Sequence, residues 1–182
     1  MFMLKPFKGT VIVRAPARIH LSVLDMNRFT PDHAGGGSVV FAIQCYCSAE
    51  VSCTKKEITV DYSRTAIVEN FVEVFKKAVG YSGGFKITVT DHQHRHVGLG
   101  STSTVIIAVA TAMNHATGSP LTKTQLRHLI GRNYGEKTAD GNIAFGFETG
   151  VGPAVSTYGG MAVMGDEPAL ACHHPFADRR NV

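Results

Sequence analysis

The stretch His96 to Ile107, HVGLGSTSTVII, sets two glycines and four consecutive hydroxyl residues directly before an apolar run. Such a composition suits the holding of a phosphate. The amides of a helix's first turn have no intrahelical partners, and with the helix dipole they present positive potential to an anion. Gly98 and Gly100, on either side of Leu99, let the backbone approach with no Cβ in the way. Ser101, Thr102, Ser103 and Thr104 add hydroxyl donors, and Ser101 or Ser103 is a candidate Mg²⁺ ligand. The loop is not a P-loop, which requires a lysine, nor a dinucleotide fingerprint, because Ser103 takes the third glycine position. Local pattern alone also fits a flexible turn before a helix capped by Ser101.

Other residues could do chemistry. Arg18 could fork onto phosphate or carboxylate, or form a surface salt bridge. His20 lies two residues on, and Asp25 and Asn27 suit either a ribose hydroxyl or an Asx turn. The segment DHQHRH places His92, His94 and His96 on one side of an extended stretch. That pattern fits a metal, an anion met by protonated imidazoles together with Arg95, or an exposed polar turn. Of the four cysteines, Cys45, Cys47 and Cys53 share one strand-like stretch and Cys172 is distant. The spacing lacks paired zinc knuckles, so free thiols are expected.

The elements that must position these groups can be read from periodicity. Residues 9–25 alternate as strand, with Pro16 forcing an extended or turn conformation at Ala15. A glycine-rich turn then feeds a second β stretch through Cys53. Glu57–Tyr62 is a short strand. Residues 63–80 read as an amphipathic helix with Ile67, Phe71, Val74, Phe75 and Ala78 inward and Gly80 as its stop. Gly84–Asp91 is a strand, and the loop through Gly100 leads to a helix that is apolar almost all round and therefore buried. Thr122 and Gln125 form a capping box for a further helix. Asn133–Gly160 shows no clear period, Met161–Gly165 is a last strand, and the segment after it has no pattern. Strands and helices mix without a strict βαβ rhythm, which predicts an α+β fold.

A chain of 182 residues with 44% hydrophobic and 18% charged residues is long and apolar enough to fold as one domain. The net charge of +4 suits an anionic small molecule as well as nucleic acid and decides little, but no run of like charges suggests a nucleic-acid tail, and no nucleic-acid partner is expected. Lys5, Pro6 and Lys8 interrupt any leader-like apolar run, and no stretch is long enough to span a bilayer. A cytoplasmic protein without membrane contact is the expectation.

Three segments, in order, resemble the motifs of the GHMP superfamily, which includes galactokinase, homoserine kinase, mevalonate kinase and phosphomevalonate kinase. APARIHLSVLDMN, Ala15 to Asn27, is similar to the first motif. HVGLGSTST is similar to the phosphate motif P-x3-G-L-G-S-S-A. ETGVGPAVSTYGG, Glu148 to Gly160, is similar to the third. The pattern most resembles β-ribofuranosylaminobenzene 5′-phosphate synthase, a branch with a similar R-[IL]-H first motif, H-x-G-L-G-S loop and glycine-rich third motif.

That resemblance implies a ribosomal protein S5 domain 2-like fold. It implies transfer of a phosphoribosyl group from phosphoribosyl pyrophosphate to a p-aminobenzoate-type acceptor in the route to methanopterin, with loss of carbon dioxide and pyrophosphate. Arg18, His20, Asp25 and His96 become the candidate catalytic residues, and Gly98–Ser103 the phosphate site. Asn27, Gly150, Gly152 and Ser156 become the acceptor site. Ser101, Ser103 and an acid before the third motif would hold Mg²⁺; Asp140, Glu136 and Glu148 are the candidates, Asp140 chief among them. Many superfamily kinases carry a catalytic Asp where this chain has Gly152, and the synthase branch has glycine there too. An ATP-dependent small-molecule kinase without that base is the alternative, and a non-catalytic ligand-binding or assembly subunit is a third reading. On this pattern, residues 1–165 form the N-terminal phosphate-binding domain. Residues 166–182 are a tail or the start of a C-terminal domain, whose role a homodimer or a separately encoded half would fill.

Overall fold

The structure is a computed structural model that describes residues 4–23, 36–94, 98–133, 135–137, 140, 142–145, 151–166 and 169–176. Its spine is a pair of long antiparallel strands, β1 (Thr10–Val23) and β2 (Gly36–Thr54). Pro16 does not end the first strand. It sits at a register shift between Pro16 and Ala17, a bulge that absorbs a residue with no amide to give to the ladder. The far edge of β2 is shared. Its second half, Ser48–Thr54, pairs with β4 (Gly84–Thr90), and its first half pairs with β7 (Met161–Asp166). β3 (Thr59–Asp61) runs parallel outside β4, and β8 (Leu170–His174) runs antiparallel outside β7. β5 (Gly135–Lys137) and β6 (Ile143–Phe145) form a separate two-stranded hairpin.

The helix α2 (Ser101–Ala116) lies against β1 and β2, and α1 (Thr65–Val79), α3 (Lys123–Arg132) and α4 (Val151–Tyr158) pack against it. Burial on all sides of α2 was expected from its composition, and Val105 through Ala110 are all buried. Each large apolar side chain removed from water there contributes about 1.5–3 kcal/mol. That anchors the loop at its N-terminus. In α1 the inward stripe is Ile67, Val68, Phe71, Val72, Phe75 and Val79, whereas Val74 and Ala78 are half-buried. Gly80 ends the helix in the left-handed region, its amide bonded to the Lys76 carbonyl. The capping box of α3 is present: Thr122 Oγ1 accepts from the Gln125 amide, and Gln125 Oε1 from the Thr122 amide.

The glycine-rich stretch 133–160 contains β5, β6 and α4. The segment after Gly165 also adds β8 to the main sheet. A boundary at residue 165 falls inside β7, and the sheet continues to His174. β8 has little apolar alternation because most of its side chains are exposed or half-exposed.

Candidate functional site

Three chain segments meet at one guanidinium. The Arg18 amide, on the outer edge of β1, donates to the Leu99 carbonyl at 3.2 Å, which fastens the glycine loop to the strand. Gly100 is the N-cap of α2, left-handed at φ 65°, and no side chain caps the turn. A residue with a Cβ would be strained in that conformation. Its Cβ would also collide with Arg18, standing 2.5 Å from Cζ. Across the guanidinium lies the first turn of α4. A Cβ at Gly152 would meet Arg18 Nη1, stand 2.8 Å from Cζ and lie 3.1 Å from the Cβ of Ser103. The loop, the first turn of α4 and Arg18 therefore lie together in the fold.

Among the described residues, the charge at the centre of the site has no counterpart. Arg18 Nη1 is buried and without a hydrogen-bond partner among the described residues, and no salt bridge among them involves Arg18. A buried donor left unsatisfied is costly, more so when charged. An anion placed between the first turns of α2 and α4 would satisfy it.

The four hydroxyls of the loop divide by role. Thr102 Oγ1 accepts from Arg64 Nη1 at 2.8 Å, and Thr104 Oγ1 donates back to the Gly100 carbonyl at 2.9 Å. These two hold the turn in shape. Ser101 is half-buried and Ser103 is buried against Gly152. Behind Thr102 lies a network that sequence reasoning missed. Arg64 donates through Nε and Nη2 to the Tyr62 hydroxyl at 2.9 and 2.7 Å. Tyr62 in turn donates to Asp91 Oδ2 at 2.7 Å, which is 3.7 Å from Arg64 Nη2. Burial first, and then the bond to Asp91, hold the Tyr62 hydroxyl well above the usual phenol range. No local spacing could have revealed this link, because Arg64 and Thr102 are 38 residues apart.

Other expected residues fall as follows. His20 Nε2 lies 2.9 Å from the buried Ser38 hydroxyl, which donates to the Ser22 carbonyl. Ser156 is buried and donates to the Pro16 carbonyl at 2.9 Å, pinning α4 to the bulge of β1. Asp140 lies between β5 and β6, is exposed, and accepts from Asn142 Nδ2 at 2.7 Å; that hairpin packs on α1 through β5. The His92 and His94 rings stack 5.7 Å apart. Asp25, Asn27, His96, Gly150, Arg95 and Glu148 lie outside the described residues, as does the side chain of Glu136. Among the described residues, no group of three or more His, Cys, Asp or Glu is placed to hold a metal ion. The donors that fit Mg²⁺ here are the Ser101 and Ser103 hydroxyls, in company with a ligand's own phosphate oxygens. The four cysteines are free thiols, and burial pushes Cys47 up to about 12.

Residues 66–150 match the family model described as the GHMP kinases N terminal domain. No curated protein sequence matches the chain. Solved structures do. A mevalonate kinase from L. major in complex with R-mevalonate is 14% identical over 95% of this chain and 55% of its own, with a TM-score of 0.66. A mevalonate diphosphate decarboxylase from Legionella pneumophila is 18% identical over 93% of this chain and 55% of its own, at 0.62. A homoserine kinase from Cytophaga hutchinsonii is 18% identical over 90% and 51%, at 0.60. The fold is that of the GHMP kinase N-terminal domain. The chain spans about half the length of these structures. Among its described residues, no helix is long and apolar enough to cross a membrane.

Proposed function

We propose that this chain supplies the phosphate-gripping domain of a GHMP-type transferase, and that its anion is a diphosphate held between the first turns of α2 and α4 on Arg18. The observation that carries the reading is the buried Nη1 of Arg18, which faces both glycines and has no partner among the described residues. The reaction it favours is the synthase one. In that reaction the C1–O bond of a phosphoribosyl donor breaks, pyrophosphate departs with the electron pair, and a p-aminobenzoate-type acceptor bonds to C1 as its carboxyl group leaves as carbon dioxide. The chain's task is to stabilise charge as it grows on the leaving group. Arg18 and the amides of the α2 turn are fixed before the reaction, so no reorganisation is needed when the charge develops. Mg²⁺, when bound alongside the diphosphate, supplies further neutralisation, with Ser101 and Ser103 as its protein hydroxyls.

Gly152 supports this reading over a kinase that depends on a carboxylate base. A base at that position would take the proton of an attacking hydroxyl. Here the space is filled by a cation, which cannot accept one. The match to the kinase family model favours the second reading, an ATP-dependent kinase that works without that base by positioning and charge alone.

Calorimetric titration separates the two. With Mg²⁺ present, heat from phosphoribosyl pyrophosphate and none from ATP is the expected result. Binding of ATP alone returns the chain to the kinases, and silence with both removes the diphosphate reading for the isolated chain.

A further inference from the structure

Helix α3 buries a second cation. Arg127 is only 6% exposed. Its Nε is buried with no partner among the described residues, and its Nη1 reaches only the sulfur of Met164, at 3.9 Å. A thioether is a weak acceptor, and arginine cannot shed its proton to escape burial. Among the described residues, the arrangement lacks an anion.

Arg127 lines a cavity of about 350 Å³ bounded by β1, α2, α3 and α4. The apolar part of its wall is Val13, Ala15, Ile107, Leu121, Leu126 and Ile130. Arg14, Lys123 and His115 also line it, and among the described residues no Asp or Glu does. Arg14 and Lys123 lie over the rings of Tyr46 and Tyr158, at 4.5 and 5.8 Å from the centroids. Two further polar groups of the wall are already engaged. Asn114 exchanges hydrogen bonds with both the amide and the carbonyl of Leu121, and Ser156 is bonded to Pro16. The residues of α2 that face the cavity, Ile107 to His115, follow Ser103 by about 6–18 Å along the helix at 1.5 Å per residue. Along α2 the cavity is therefore offset from the grip around Arg18.

We propose that this cavity is a second binding site, for a small organic acid whose carboxylate pairs with Arg127 and whose apolar ring or branched chain fills the walls. A guanidinium presents a planar fork that matches a carboxylate. The volume is at the small end of ligand pockets, which run from about 300 to 1,000 Å³. The inference does not rest on the diphosphate reading.

The test is a titration of the full ¹⁵N-labelled chain, followed by amide shifts, with three probes at equal millimolar concentration: benzoate, benzyl alcohol and inorganic phosphate. Benzoate is expected to move the amides of Thr111, Leu121 and Thr157 saturably, while benzyl alcohol and phosphate leave them in place. Arg127→Met should weaken benzoate by about tenfold without lowering the urea midpoint, because it removes a buried unpaired charge. Should that variant fail to fold, Thr111→Leu fills the cavity from α2 and should abolish the benzoate shifts. Three results overturn the proposal: no saturable shift at these amides with benzoate, equal shifts with inorganic phosphate, or benzoate binding unchanged in the variant that folds.

Discussion

The guanidinium of Arg18 occupies the space that a side chain at residue 152 would need, since a Cβ built there would meet Nη1 and lie 2.8 Å from Cζ. Position 152 and position 18 are therefore one unit. The absence of a carboxylate at position 152 and the presence of an arginine at position 18 are two sides of the same packing.

Gly152→Asp tests that unit. The obstructing atoms are the tip of a flexible side chain, and Gly152 has no left-handed φ, so the fold should survive with little change in urea midpoint. The new carboxylate would pair with Arg18 and displace its anion. Affinity for Mg²⁺-pyrophosphate should fall by about tenfold or more, measured by calorimetry. Undiminished affinity would mean that Arg18 does not face the ligand.

Gly100→Ala acts through the backbone as well. With φ at +65°, alanine should lower stability by about 1 kcal/mol, and its Cβ would push Arg18 from the loop. Urea denaturation and pyrophosphate titration should both register the change. A variant that loses neither stability nor binding would contradict the geometry of the turn.

Much of this was legible in the sequence, and the reasons differ by element. The apolar girdle of α2 and the Thr122–Gln125 box are local signals, and both appear in the structure. The first, second and third motifs could be ordered along the chain, but no pattern could say that Arg18 lies between Gly100 and Gly152. α4 was illegible because its eight residues hold a glycine and a proline, which local propensity reads as loop. β8 was illegible because an exposed edge strand need not alternate. The equal standing of the four loop hydroxyls was resolved only in the fold, where a long-range bond commits Thr102 to Arg64 and a local back-bond commits Thr104 to Gly100.

Arg64→Met should show what the supporting network contributes. It removes the bond to Thr102 and the cation beside Asp91, while Asp91 keeps the Tyr62 hydroxyl and the Gln93 amide. A loss of about 2 kcal/mol in urea unfolding is expected, together with weaker pyrophosphate binding as the α2 turn loosens. Wild-type stability would place the network outside the fold's energetics.

The cysteines offer a check on the core. Cys47 titrates at about 12 in the folded chain against 9.0 for the ordinary thiol, so the fold favours its neutral form. That contribution is whole below pH 9 and is lost as pH rises toward 12. Alkaline unfolding should steepen across that window, and Cys47→Ala should flatten it. A disulfide reagent at neutral pH should modify the exposed Cys172 promptly and leave Cys47 protected. Equal rates at the two sites would contradict the placement of β2.

The most direct measurement is a titration of Mg²⁺-pyrophosphate into the ¹⁵N-labelled chain and into its Arg18→Met variant. The amides of Gly98, Gly100, Ser101 and Gly152 should shift together and saturate in the wild type, with affinity about tenfold weaker in the variant. Amides that stay in place, or equal affinity in the two proteins, would contradict the claim that Arg18 and the glycine loop hold a diphosphate between them.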